Sequence, residues 1–160
     1  ASNALTGVYD RLQGSSTYPS YYCARMIYYG EVRGDDMQAA GATKRTAPSY
    51  QMTYTVNSGA PQIWEVPYMV IRRANSLIKA IDNNSVTDAT TEELDSIKGQ
   101  ALAIRALAHF DLARVYSKPY TIEGGSTLGI PVVLEPLAYD ATPSRNTLEE
   151  VYTQVISALK

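Results

Sequence analysis

One stretch of the sequence, residues 92–116, constrains the fold more than any other. Apolar residues recur along it at helical spacing, and they do so on two faces at once. Thr90 and Glu93 have the spacing of a capping box, in which two side chains satisfy backbone N–H groups at the start of a helix. A helix that is apolar on two sides packs between neighbours. The pattern therefore predicts a central, sandwiched helix.

Four further segments have helical periodicity. Residues 63–81 also carry two apolar stripes, and we expect Pro67 in or near the first turn because an interior proline would break the helix. Single stripes predict helices at residues 3–13, at residues 20–33 and from residue 148 onward. The sequence thus predicts an all-α fold.

Two long connections separate these helices. Residues 34–61 and 117–146 are rich in residues that favour turns, and only residues 51–56 resemble a strand. Thr147 and Glu150 form a second capping box, which marks where the second connection ends. Long loops inside compact domains are often functional, so the connection at residues 34–61 is the first place to look for a binding site.

Composition and charge exclude several classes of protein. The chain has 160 residues, enough for one domain over residues 1–160, and a net charge of -2, which argues against a nucleic-acid or anionic-membrane partner. One cysteine and one histidine, His109, form no metal-binding or catalytic pattern, so we expect no metal, no cofactor and an interior role for His109. The adjacent carboxylates Asp35 and Asp36 lack the geometry of a glycosidase pair, so we expect a structural or cation-binding loop there and no enzyme.

The spacing of small residues in the long helix indicates a particular way of packing. Ala106, Phe110 and Ala113 are spaced as in the second helix of a tetratricopeptide (TPR) repeat, where small residues let helices approach closely. Pro119 lies one position later than in that repeat, and the helices are not separated by a regular repeat length. We therefore expect irregular, TPR-like helical hairpins.

Six stretches in a fixed order, covering nearly the whole chain, resemble a known family. They are Ala4–Asp10, Gly30–Met37, Trp64–Asn75, Lys98–Leu112, Leu128–Val133 and Pro143–Ile156. In this order they resemble the SusD/RagB family of outer-membrane nutrient-binding lipoproteins. Gln100 and Ser117 depart from it, because the family commonly has Glu and Gly there.

The resemblance implies a TPR-related, non-catalytic protein, lipid-anchored on the outer surface of a Bacteroidetes-type outer membrane. It implies a glycan ligand, sometimes a peptide, and a SusC-like TonB-dependent transporter as partner. Family members are much longer, so we expect this chain to be an N-terminal region, with Val151, Val155 and Leu159 exposed or covered by another chain. The alternative is a TPR-like module that binds a protein or peptide.

Ligand binding is best sought in the connection at residues 34–61. Tyrosine faces can stack on sugars, and Arg, Gln and Asn can each make several hydrogen bonds to hydroxyl groups. The candidate ligand-binding residues are Arg45, Tyr50, Gln51, Tyr54 and Asn57.

Three residues of the predicted helices are expected to be structural. Trp64 lies in an apolar stripe, which favours core packing over a sugar platform. Asn75 lies in the same stripe and is expected to tie a loop to its helix, because a buried amide needs partners. Arg105, at the edge of an apolar face, needs a carboxylate or a backbone carbonyl as its partner.

Overall fold

The computed structural model describes residues 1–14, 21–41, 46–53 and 63–160. The secondary-structure elements of these residues are all helical, apart from one isolated β-bridge between Leu128 and Thr147. In chain order they are α1 (Ser2–Gln13), a π-helical turn (Tyr21–Arg25), α2 (Met26–Gly30), α3 (Ala47–Tyr50), α4 (Glu65–Asp82), α5 (Thr91–Tyr116), a 3₁₀ turn (Glu123–Gly125) and α6 (Leu148–Ala158). The prediction of an all-α fold is confirmed.

The chain divides into two compact units. The first combines Ala1–Arg11 with Pro67–Lys160, and the second is Leu12–Val66. The first unit contains α5, α6 and most of α1 and α4, so it holds the long helices and the second connection. The assignment of residues 1–160 to one N-terminal domain stays a prediction.

Helix α5 begins and packs as its sequence pattern predicts. The Oγ1 atom of Thr90 accepts a hydrogen bond from the N–H of Glu93 at 3.3 Å, and Glu93 Oε2 accepts one from the N–H of Thr90 at 2.8 Å. These bonds satisfy two backbone donors that the first helical turn leaves without partners. Both apolar faces of the helix are buried, through the side chains of Ile97, Ala101, Ile104, Ala106, Ala108, Leu112 and Ala113.

Helix α4 has the second two-sided pattern. It starts at Glu65, which puts Pro67 in its first turn, where the missing N–H breaks no intrahelical bond. Its buried side chains are Val66, Val70, Ile71, Ala74, Asn75, Leu77, Ile78 and Ile81. The prediction for Pro67 is confirmed.

The shorter predicted elements differ more from the structure. The helix expected over residues 20–33 is a π-helical turn followed by α2, which ends at Gly30. Within the strand-like stretch 51–56, residues 51–53 form a turn in which Met52 has a φ of 53°, a left-handed conformation outside the extended range of a regular strand. Residues 54–56 lie outside the described part of the chain.

Helix α6 packs on α5 more closely than the sequence suggested. Leu148, Val151 and Val155 are buried within this chain, so the expectation that the two valines would be exposed or covered by another chain was wrong. The third predicted residue, Leu159, is 62% exposed. The valines are four residues apart and lie on the α5 side of the helix, whereas Leu159 follows its last turn.

Candidate functional site

The predicted ligand-binding residues are only partly within the described chain. Tyr50 is the last residue of α3, and its side chain is 37% exposed. The next residue, Gln51, is exposed, and its backbone N–H closes the helix by donating to the carbonyl of Ala47 at 2.8 Å. Arg45, Tyr54 and Asn57 lie outside the described residues. Tyr50 and Gln51 are thus adjacent, exposed residues of the second unit, and their role in ligand binding stays a prediction.

The position of Trp64 corrects one expectation. Its side chain is 42% exposed, rather than packed in the core. The apolar stripe was extrapolated one residue too far, because α4 starts at Glu65 and Trp64 precedes it. The indole ring is partly exposed, and its role stays a prediction.

A segment of the second connection, Leu128–Leu134, is held by hydrogen bonds from side chains of the first unit. It has no regular secondary structure after the bridge at Leu128. At one end, the N–H of Gly129 donates to Asn146 O at 2.7 Å, and the N–H of Asn146 donates to Ile130 O at 3.1 Å. A Cβ atom on Gly129 would lie 3.1 Å from the Cα of Leu148, so a larger residue would require α6 to shift by a few tenths of an ångström.

The other end of this segment is bound by α4 and α5. Asn75 is 1% exposed, and its Nδ2 donates to Val133 O at 3.0 Å. Arg105 is 7% exposed, and its Nη1 donates to Asn75 Oδ1 at 2.9 Å and to Leu134 O at 3.1 Å. The expected amide-to-loop contact and the expected carbonyl partner of the arginine are thus both observed. Burial lowers the pKa of the Arg105 guanidinium, whose charge is met by these oxygen dipoles.

His109 is part of the same network. The N–H of Val133 donates to His109 Nε2 at 3.1 Å, so this nitrogen is an acceptor and the ring proton is on Nδ1. Nδ1 then donates to Arg105 O at 2.9 Å. Burial lowers the pKa of the imidazole to about 4, because a charged ring would be desolvated there. A neutral histidine with both nitrogens bonded has a structural role.

Sequence reasoning missed three further side chains that bind this segment. The hydroxyl of Tyr68 donates to Pro131 O at 2.8 Å, and Asn146 Oδ1 accepts from the N–H of Val132 at 2.9 Å. Arg145 donates through Nε to Gly129 O at 2.6 Å and through Nη2 to Leu128 O at 3.1 Å. Burial raises the pKa of the Tyr68 phenol. All three lie in or beside stretches that carry the family resemblance, which was the only available signal.

The open grooves on the described part of the first unit include two large ones. One, of about 660 Å³, runs between α1 and α4. The other, of about 810 Å³, lies beside the C-terminal end of α5 and includes Tyr116, Lys118, Glu123 and Arg145 among its lining residues. In the ranges that the structure describes, no group of three or more His, Cys, Asp or Glu side chains could hold a metal ion.

Comparison with known proteins identifies the family. Residues 3–160 match the SusD-like_3 family, described as "Starch-binding associating with outer membrane". The chain therefore belongs to the SusD-like family. No curated protein matches the sequence.

Three crystal structures from Bacteroides share the fold. A "Putative sugar binding protein" from Bacteroides vulgatus ATCC 8482 is 40% identical, with a TM-score of 0.86. SusD superfamily proteins from the same strain and from Bacteroides thetaiotaomicron VPI-5482 are 32% and 35% identical, with TM-scores of 0.87 and 0.84. Each alignment covers 98% of this chain but only 34–35% of the other, so this chain spans about a third of their length.

Proposed function

We propose that this chain is the N-terminal region of a surface protein that binds glycans and delivers them, chemically unchanged, to a SusC-like TonB-dependent transporter. The observation that carries the proposal is the match of residues 3–160 to a family described as starch-binding and associated with the outer membrane. A relative whose name reads as sugar binding is 40% identical over nearly all of the chain.

The proposed location is the outer surface of the outer membrane, through a lipid anchor. The family description supports membrane association, and the Bacteroides origin of the relatives supports a Bacteroidetes-type outer membrane. Among the helices that the structure describes, none is both long and apolar enough to cross a bilayer.

The proposed glycan surface is the second unit around Tyr50 and Gln51. The exposed Tyr50 ring can stack on the C–H face of a sugar, and the neighbouring Gln51 amide can both donate to and accept from hydroxyl groups. Arg45, Tyr54 and Asn57 are proposed to complete this surface, and Trp64 is a further exposed aromatic side chain.

Affinity electrophoresis of the full-length, lipid-free protein against a panel of polysaccharides tests the proposal. We expect one glycan to retard the protein, and we expect Tyr50→Ala to weaken that binding about tenfold because a stacking surface is lost. Tyr139→Ala is the matched control, since Tyr139 is fully exposed on the second connection, outside the proposed surface.

The outcomes separate the two candidate functions. Equal weakening by both tyrosine variants would contradict the location of the surface but not glycan binding itself. Retardation by none of the polysaccharides would contradict the proposal and favour the alternative, a TPR-like protein- or peptide-binding module.

A further inference from the structure

The groove between α1 and α4 is built from one stripe of each helix. Helix α1 contributes Ala4, Gly7 and Arg11, spaced three and four residues apart, and α4 contributes a stripe that runs from Met69 to Ala80. Residues with this spacing lie on one face of a helix. The groove thus lies wholly within the first compact unit and has a regular wall on each side.

The charge of this groove is opposite to that of the chain. Three arginines line it, Arg11, Arg72 and Arg73, and no Asp or Glu is among its lining residues. The whole chain has a net charge of -2, so an excess of positive charge here is local. Arg72 and Arg73 are exposed to solvent, where a guanidinium can bind a carboxylate through two parallel hydrogen bonds.

Contacts within the groove hold two of these arginines in place. Arg73 Nη1 donates to the carbonyl of Gly7 at 2.5 Å, which uses one of the five donors of that guanidinium. Arg11 Nη2 lies 2.6 Å from the sulfur of Met69. Side chains that are already ordered lose less entropy when a partner binds.

The rest of the lining identifies the chemistry of the occupant. The rest of the lining is mainly apolar, formed by Met69, Leu77, Ala80 and Val86 beside the hydroxyl of Ser76, and no aromatic or amide side chain is among the lining residues. Sugar recognition commonly uses both of those groups, whereas an amphipathic polypeptide needs an apolar surface beside complementary charges.

We propose that this groove docks an acidic, amphipathic polypeptide segment, with its apolar side chains against Met69 and Leu77 and its carboxylates on Arg72 and Arg73.

Fluorescence anisotropy with two labelled peptides tests this inference on the full-length, lipid-free protein. The probe is a peptide of alternating Glu and Leu pairs, and the matched peptide has Gln in place of each Glu. We expect the Glu peptide to bind at least tenfold more tightly, and high salt to reduce that difference because the pairs are exposed.

Substitutions locate the binding on the protein. We expect Arg72→Gln to weaken binding of the Glu peptide about tenfold, through loss of a charged hydrogen-bond donor. Lys79→Gln removes the same charge from the same helix, outside the groove lining, and we expect it to change binding less than twofold. Unchanged melting temperatures would establish that both variants fold.

Three results would overturn the inference. The first is equal binding of the Glu and Gln peptides, and the second is equal weakening of Glu-peptide binding by Arg72→Gln and Lys79→Gln. The third is no binding of either peptide, which is expected if another part of the protein's own chain covers the groove. Binding of polygalacturonate that Arg72→Gln abolishes, with no binding of the Glu peptide, would assign the groove to an acidic glycan instead. None of these results depends on whether the Tyr50 surface binds a neutral glycan.

Discussion

At the scale of single residues, His109 shows how burial fixes a protonation state. Its Nε2 faces the N–H of Val133, so a second ring proton would point at another donor. The loss of hydration on burial is the main cause of the lowered pKa of about 4. In the unfolded chain the same ring has an ordinary pKa near 6.5.

This difference predicts a pH-dependent stability. Between pH 6.5 and pH 4 the unfolded chain binds a proton that the folded chain does not, so the free energy of unfolding falls as the pH falls. We expect a loss of about 2 kcal/mol between pH 7 and pH 5, measured by urea unfolding of the 160-residue chain. His109→Gln removes the only histidine, so its free energy of unfolding should vary far less over this range. An equal pH dependence in both proteins would contradict the assignment.

Single residues also show where sequence reasoning succeeds. An amide within an apolar stripe, Asn75, and a cation at the edge of an apolar face, Arg105, both need buried partners because leaving them unsatisfied costs about 1–3 kcal/mol. That argument identifies the need for partners but not their identity, since Val133 and Leu134 lie in a distant connection. Tyr68 was missed because a tyrosine within a stripe has no comparable cost when its hydroxyl reaches water.

At the scale of elements, the two capping boxes fix where α5 and α6 begin. At α6 the Oγ1 of Thr147 accepts from the N–H of Glu150 at 3.2 Å, and Glu150 Oε2 accepts from the N–H of Thr147 at 2.8 Å. The hydrogen bond from the Thr147 backbone is the main cause of the lowered pKa of the Glu150 carboxyl.

Removing the Thr147 hydroxyl should therefore destabilise the chain. We expect Thr147→Ala to lower the free energy of unfolding by about 1 kcal/mol, because one N–H at the helix start loses its acceptor. Thr153→Ala, at an exposed position inside α6, is the matched control and should be neutral or slightly stabilising. Urea unfolding of the two variants measures the difference, and equal stabilities would contradict a role for the cap.

Long helices, and helices that begin with a capping box, were predicted more accurately than short elements. The starts of α5 and α6 follow from periodicity together with a capping box, whereas the patterns over residues 3–13 and 63–81 place the bounds of α1 and α4 to within two residues. Helix α3 has only four residues, too few for a periodic pattern, and the π-helical turn before α2 has the apolar spacing of an ordinary helix. Short elements depend on contacts that sequence spacing does not record.

At the scale of the whole molecule, the first unit joins two distant parts of the sequence. Its pieces, Ala1–Arg11 and Pro67–Lys160, meet where the Arg11 side chain contacts Met69. The fold class was predictable because periodicity and the family resemblance agree on helices. The location of the ligand surface was not, since no spacing rule relates loop residues to a bound sugar.

This arrangement predicts that the first unit folds by itself. We expect a chain in which about eight Gly and Ser residues replace residues 12–66 to unfold in one cooperative transition, since such a linker spans roughly 15 Å. The pH dependence that His109 causes should persist. Deleting residues 148–160 instead removes the buried Leu148, Val151 and Val155, and should abolish that transition. Loss of cooperativity in the linker variant would show that the first unit needs the second.

The Leu128–Leu134 segment has a consequence for how sequences of this kind can vary. Surface loops usually tolerate extra residues, because their backbone groups reach water whatever the length. Here each carbonyl from Leu128 to Pro131, and those of Val133 and Leu134, meets one particular donor. One inserted residue would shift every later backbone group away from its hydrogen-bond partner. The buried side chains of Asn75, Arg105 and His109 would then face the wrong atoms. Insertions should therefore be as rare in this irregular connection as in the central strand of a sheet, and common just beyond it at the exposed Tyr139.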